Sequence, residues 1–267
     1  MALRANGHGP TIETVNIALF GGTFDPIHSG HLRAARVASR KFQLDQVLFI
    51  PSGRPPHKIS GHLTDFAHRY AMVVLACANE PRFIPSLLES PTVDNRTRYS
   101  IQTARAVQRT LHAGDHLFFL IGVDALLDLR HWREYRALLG LVNFIVATRP
   151  GSDARKIWEV LPQDMTSADN RQRQTAAQLR FPVAKPDGHA NAFTRSDSIE
   201  LPRTTLHILR GMHVPVASRD VRRAVASGRP ITGLVPRSVE KYIAKEGLYR
   251  PGSRKQSAPG SAGLQVR

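Results

Sequence analysis

The run from Gly21 to Leu32, GGTFDPIHSGHL, holds the residue types best suited to chemistry on an anion. It leaves an apolar stretch, turns on Gly21 and Gly22, passes Thr23 and Phe24, and enters a segment rich in helix formers. Backbone N–H groups and the positive end of a helix dipole then converge on one place, an arrangement that holds phosphate. His28 and His31 share a face if the helix has begun there. Gly30 between them removes a side chain where a phosphate would approach closely. The spacing is not GxGxxG, so it lends nothing to a dinucleotide redox reading. Two histidines around a glycine also suit zinc, but zinc wants a third or fourth ligand, and no cysteine or carboxylate stands at a suitable spacing. A solvated or capping histidine is the plainest alternative. The glycine turn and the strand-to-helix setting favour phosphate.

Those residues need a frame. Val15 to Phe20 reads as a buried strand that ends at the glycine pair, and a helix is expected from Ser29. Gln46 to Ile50 is a second strand, followed by the Pro-rich basic loop PSGRPPHKISG. Helices are expected over Asp65 to Ala78 and Ser100 to Leu111, and strands over His116 to Gly122 and Leu141 to Ala147. A short helix near Ala154 to Val160, a strand over Thr204 to Leu209 and a helix over Ser238 to Glu246 closed by Gly247 complete the pattern. Strand alternating with helix predicts an α/β fold: a Rossmann-like parallel sheet with flanking helices. The open edge of such a sheet is where ligands bind.

The chain has 267 residues, 42% hydrophobic and 22% charged, so disordered and membrane compositions are excluded. Its longest apolar run, Leu138 to Ala147, is too short to cross a bilayer and is broken by Asn143. The N-terminal residues have no signal-type apolar core, and the single Cys77 suits a reducing compartment. A cytoplasmic protein is expected. One domain over 15–249 is the simplest division, with a flexible N-terminal extension over 1–14 and a polar loop at about 186–200. The basic tail at 250–267, rich in Pro, Gly and Ser, is expected to be disordered. The net charge of +16 favours anionic partners, either phosphorylated metabolites or nucleic acid. An RNA-binding module is the reading from another class, but aromatics at 7% supply few stacking platforms, so nucleic acid is not the expected partner.

Several motifs in order resemble one family. GGTFDPIHSGHL resembles the HxGH signature of the nucleotidylyltransferase superfamily, in the form of bacterial nicotinate-nucleotide adenylyltransferases. Pro55-Pro56-His57-Lys58 resembles its PPHK loop, and Arg69 with Met72 its RxxM helix. Tyr99-Ser100 with Thr103 resembles its SYT segment, Ile121-Gly122-Val123-Asp124 its IGxD strand end, and Trp132 the tryptophan beyond. Thr148-Arg149-Pro150-Gly151 resembles the RPG turn, and LVPRSVEKYIAKEGLY the C-terminal ending. One motif departs. Where the family reads ISSTxIR, this chain has Ser218 and Arg222 in place but Arg219 at the threonine. On its own residues, Ser218 reads as an N-cap and Asp220 as a first-turn acid.

The resemblance implies transfer of the adenylyl group of ATP, with Mg2+, to nicotinate mononucleotide. It implies catalytic roles for His28, His31 and Arg222 on the phosphoryl oxygens. It places Gly21, Gly22, Thr23, Phe24, Gly30 and Ser218 on the ATP side. Lys58, Ser100, Gly122, Asp124 and Trp132 fall on the acceptor side, with Trp132 either stacking on the pyridine ring or belonging to the core. Magnesium would bridge phosphate oxygens and ask for few protein ligands. Another phosphorylated acceptor is the alternative within enzymes, and a homo-oligomer is left open.

Overall fold

A computed structural model of the protein describes residues 14–53, 63–91, 98–148, 156–166, 198–210 and 216–251. The 1–13 part of the N-terminal extension, Lys58 with its loop, residues 149–155, 186–197 and the tail from 252 lie outside the described residues.

The elements run β1 (Asn16–Gly22), α1 (Ser29–Lys41), β2 (Gln46–Pro51), α2 (Phe66–Cys77), β3 (Phe83–Pro85), α3 (Ser100–Gln108) and β4 (His116–Gly122). They continue with α4 (Val123–Leu127), α5 (Tyr135–Leu139), β5 (Asn143–Ala147), α6 (Lys156–Val160), β6 (Ser198–Glu200) and β7 (Thr205–Leu209). Two helices follow, α7 (Ser218–Ala226) and α8 (Arg237–Lys245). The strands form one sheet in the order β3-β2-β1-β4-β5-β7-β6, parallel except for the β6–β7 edge. The chain winds outward from β1 in one direction and from β4 in the other. The crevice at the C-terminal ends of β1 and β4 is therefore the switch point, where helices leave on opposite sides and a ligand can enter.

Burial on both faces explains the near-continuous apolar strands. Ala18, Phe20, Val47, Phe49 and Leu120 meet Leu32 and Ala35 of α1, Met72 and Val73 of α2, Val221 of α7 and Val239 of α8 on one face. Leu19, Phe119, Ile121 and Phe144 meet Ile101 of α3, Leu126 of α4, Leu138 of α5 and Ile157 of α6 on the other. No helix among the described residues is long and apolar enough to cross a membrane.

The differences from the sequence expectations are local. The helix expected to reach Leu111 ends at Gln108, and the strand expected from Leu141 begins at Asn143, because Leu141 and Val142 close the turn after α5. The end of the expected polar loop, Ser198 to Glu200, is a strand instead: Ile199 is buried and the three residues pair antiparallel with β7. A three-residue edge strand is too short to show an alternating period. Gly247, at φ +61°, ends the last helix as expected.

Glu89, between β3 and α3, ties this side of the molecule together. Its Oε1 accepts the Thr103 hydroxyl at 2.9 Å, and its carbonyl oxygen lies where a Cβ on Gly53 would stand, only 2.1 Å away. Burial pushes the Glu89 carboxyl up to about 7, against the pull of the Thr103 hydroxyl and the charge of Arg98. Between the ordinary value of 4.5 and about 7 the folded chain therefore holds this proton more tightly than the unfolded one, and stability falls as pH rises through that window. Glu89→Gln keeps an acceptor for Thr103 and removes the ionisation. Denaturant midpoints from pH 5 to 8 should fall less steeply in the variant, and parallel curves would show that Glu89 ionises without penalty.

Candidate active site

The paired glycines end β1, and a Cβ on Gly22 would stand 3.1 Å from the Phe24 ring, tighter than ordinary contact. Phe24 adopts a left-handed φ of +48°, which sends its ring into the core between Phe20 and Phe49. Its edge meets the His31 ring with centroids 5.1 Å apart. A bulky residue in this conformation carries a local cost that the aromatic packing offsets.

His28 and His31 come together as the sequence spacing requires. His28 is the N-cap of α1 and His31 its third residue, and their rings stack with centroids 3.7 Å apart. The His31 Nδ1 accepts the backbone N–H of His28 at 3.2 Å. That bond assigns the lone pair to Nδ1 and the proton of the neutral ring to Nε2, on the far side. Gly30 has a packing role beside them. The space its side chain would need is taken by the buried His28 ring, whose Cε1 and Nδ1 would lie 3.0 Å from a Cβ. The glycine makes room for the imidazole.

The start of α1 is partly committed as well. The Ser29 N–H donates to the Leu234 carbonyl and its hydroxyl to the Gly233 carbonyl, both at 2.8 Å. No acidic residue of α1 itself occupies its first turn.

α7 closes this end. Its N-cap is Ala217 rather than Ser218, because the Asp220 carboxylate reaches back to the Ala217 N–H at 3.2 Å. Ser218 is thereby released, and its hydroxyl donates to the Pro26 carbonyl at 2.9 Å. Arg222, one turn on, donates from Nη1 to the Asp25 carbonyl at 2.6 Å and is only half-buried. Arg219 points outward, its Nε 3.8 Å from Asp220. α7 is thus pinned to the histidine turn by Ser218 and Arg222.

Beneath the turn lies a group that the family resemblance marked without a role. Arg69 is 1% exposed. It donates to the carbonyls of Thr23 and Thr64 at 2.8 Å and to that of Gly53 at 3.4 Å, so one guanidinium joins the loops that follow β1 and β2. Burial holds its pKa below the ordinary arginine value, with Asp25 the leading opposing charge. Asp25, itself 3% exposed, accepts the Tyr249 hydroxyl at 2.7 Å.

Across the switch point, β4 ends at exposed Gly122, and Asp124 stands exposed in the first turn of α4. Ser100 opens α3, half-buried. Trp132 is half-buried with its edge on Phe119, centroids 6.0 Å apart, so it belongs to the core boundary. Next to it the Arg133 guanidinium lies 4.9 Å over the Tyr99 ring, and Glu134 pairs with Arg105 of α3 at 2.7 Å. A separate hollow lined by His116, Phe118, Glu200 and His207 opens at the other end of the strands.

Among the described residues no three His, Cys, Asp or Glu side chains gather as a metal set. Imidazoles, a guanidinium and a helix N-terminus form a donor set for phosphate oxygens, whereas a hard divalent cation seeks oxygen ligands.

Comparison with known proteins places the chain in a family. The family model described as cytidylyltransferase-like matches residues 19–191. A protein of Thermoanaerobacter sp. (strain X514), named probable nicotinate-nucleotide adenylyltransferase, is 34% identical over 237 residues, which cover 88% of this chain and 95% of that one. A Solibacter usitatus protein of the same name is 36% identical over 235 residues, 88% of this chain and 100% of that one. The chain belongs to the nicotinate-nucleotide adenylyltransferase family. The fold agrees too. Plasmodium falciparum nicotinic acid mononucleotide adenylyltransferase, in a structure complexed with NaAD, superposes with a TM-score of 0.61 at 17% identity, covering 88% of this chain and 97% of that one.

In this chain, sequence reasoning missed Asp25, Glu89 and Tyr249. Asp25 and Tyr249 sit inside quoted motifs, but what they contact is far away in sequence. For Glu89 the available signal was weak: a carboxylate among apolar neighbours, Leu87 and Leu88, shortly before a helix.

Proposed function

We propose that this chain transfers the adenylyl group of ATP to nicotinate mononucleotide, giving nicotinate adenine dinucleotide and pyrophosphate. The observation that carries the reading is the stacked His28–His31 pair beside Arg222 at the switch point, in a chain of this family. A phosphate oxygen of the mononucleotide attacks the α-phosphorus of ATP. The bond from that phosphorus to the bridging oxygen breaks, and pyrophosphate leaves with the electron pair. Such a displacement asks the protein mainly for positioning and charge neutralisation.

The His31 Nε2–H donates to an α-phosphate oxygen, and His28, stacked on it, supports the same group. Arg222 presents its remaining N–H groups to the departing phosphates as a planar fork. Gly21, Gly22, Thr23, Phe24 and Gly30 shape the turn, and Ser218 holds α7 against it. Ser100, Gly122, Asp124 and Trp132 line the acceptor side, with Lys58 supplying charge from its loop. Magnesium enters as part of the substrate, held by the triphosphate oxygens.

The deciding experiment is pyrophosphate release by the purified chain with MgATP or MgCTP and a panel of phosphorylated acceptors. Turnover with ATP and nicotinate mononucleotide, giving the dinucleotide, is expected. Turnover only with CTP or with another acceptor would replace this reading.

A further inference from the structure

The far end of the chain reaches back into the catalytic turn. α8 is fastened to α2, where the His68 Nδ1 and the Tyr242 hydroxyl are hydrogen-bonded at 2.9 Å. The chain then turns at Gly247, and Tyr249 adopts a left-handed φ of +65°. A non-glycine residue in that region is held there by something. What holds it is the phenol, whose hydroxyl donates to Asp25 Oδ1 at 2.7 Å. Burial first, then the Asp25 charge, pushes the phenol's pKa up, so it stays a donor.

Asp25 faces the Tyr249 hydroxyl, the Thr64 N–H and the Arg222 guanidinium at different distances, with the Arg69 charge also nearby. Oδ1 is taken by Tyr249. Oδ2 faces the Thr64 N–H at 3.4 Å and stands 4.0 Å from the Arg222 Nη1, too far for a hydrogen bond. Arg222 is held instead by the Asp25 main-chain carbonyl at 2.6 Å. A carbonyl orients a guanidinium without cancelling its charge. A carboxylate in hydrogen-bond contact would offset that charge more closely than Asp25 does at 4.0 Å, and would turn the fork inward, away from any phosphate.

We infer that Tyr249 is a positioning residue: by engaging the Asp25 carboxylate it keeps that carboxylate from moving from ion-pair distance into hydrogen-bond contact with Arg222, and so leaves the guanidinium fork aimed outward at the triphosphate. The inference rests on the phosphate role of Arg222 in the proposed function, and it assigns the C-terminal tyrosine to the ATP side alone. Tyr249→Phe removes the donor and keeps the ring. Asp25 is then free to rotate onto Arg222.

The test is direct titration of MgATP, and separately of nicotinate mononucleotide, against the full chain, with steady-state kinetics and melting curves alongside. Tyr249→Phe should weaken MgATP binding by about tenfold and raise its KM, with mononucleotide binding unchanged. Adding Asp25→Asn removes the competing charge and should recover much of the lost ATP affinity, although the double variant holds fewer good hydrogen bonds. A purely structural tyrosine gives another pattern: both ligands weaken together, in step with the melting temperature, and the second substitution makes matters worse. That pattern, or unchanged ATP affinity in Tyr249→Phe, overturns the inference. A wild-type chain that binds MgATP yet turns over no nicotinate mononucleotide would remove the acceptor assignment, and the titrations would still decide the role of Tyr249.

Discussion

His31→Ala is expected to lower kcat by about 10²- to 10³-fold, the scale for losing one preorganised donor to a developing oxyanion. The ring is fixed from three directions. Its Nδ1 takes the His28 N–H, one face stacks on His28, and edges of Phe20 and Phe24 bound it. Its donor therefore needs no reorganisation when charge builds on the phosphoryl group. The same Nδ1 bond also satisfies a backbone N–H at the start of α1, so alanine removes a cap worth about 1 kcal/mol. For a chain of this size that predicts a melting decrease of roughly 2–4 °C, small beside the kinetic effect. Stopped-flow or steady-state rates with saturating substrates, read beside a melting curve, separate the two roles. A fall in kcat of less than tenfold together with the full loss of the cap would make His31 a helix-capping residue and remove it from the chemistry.

This turn was legible because its contacts are local. Strand, glycine pair, two histidines and helix follow one another within a short run, and each neighbour is set by helix geometry. The core strands were legible for a similar reason: burial on both faces leaves few polar positions in β1, β4 and β5. Legibility failed where a partner lies far along the chain or where two residues compete for one task. Ser218 reads as a cap by type, and only the reach of Asp220 to the Ala217 N–H shows that the post is filled. Nothing in the sequence shows that the His28 ring packs where a Gly30 side chain would stand. Asp25 and Tyr249 are 224 positions apart, and no period or propensity links them. β6 has only three residues and is made a strand by its pairing with β7, not by its own pattern.

Arg69→Met is the second large effect expected, and it falls on stability. Methionine matches the length of the arginine stem and suits the apolar surroundings, so the change isolates the guanidinium. That group satisfies carbonyls of Thr23, Thr64 and Gly53 and lies near the buried Asp25 carboxylate. Each buried acceptor left without a donor costs about 1–3 kcal/mol, and Asp25 loses a nearby cation. Against this stands the cost of burying the guanidinium itself, visible in its lowered pKa, which the variant no longer bears. The losses outweigh the relief because the carbonyls stay in place after the substitution, and the net destabilisation is expected at roughly 2–4 kcal/mol. Melting should fall by roughly 5–15 °C. Arg69→Lys is expected to lie between, since an ammonium keeps the charge but cannot span acceptors on two loops as a planar fork does. Equal stability of Arg69→Met and wild type would mean that desolvation cancels every bond Arg69 makes, and the loops after β1 and β2 would then be held by their own packing.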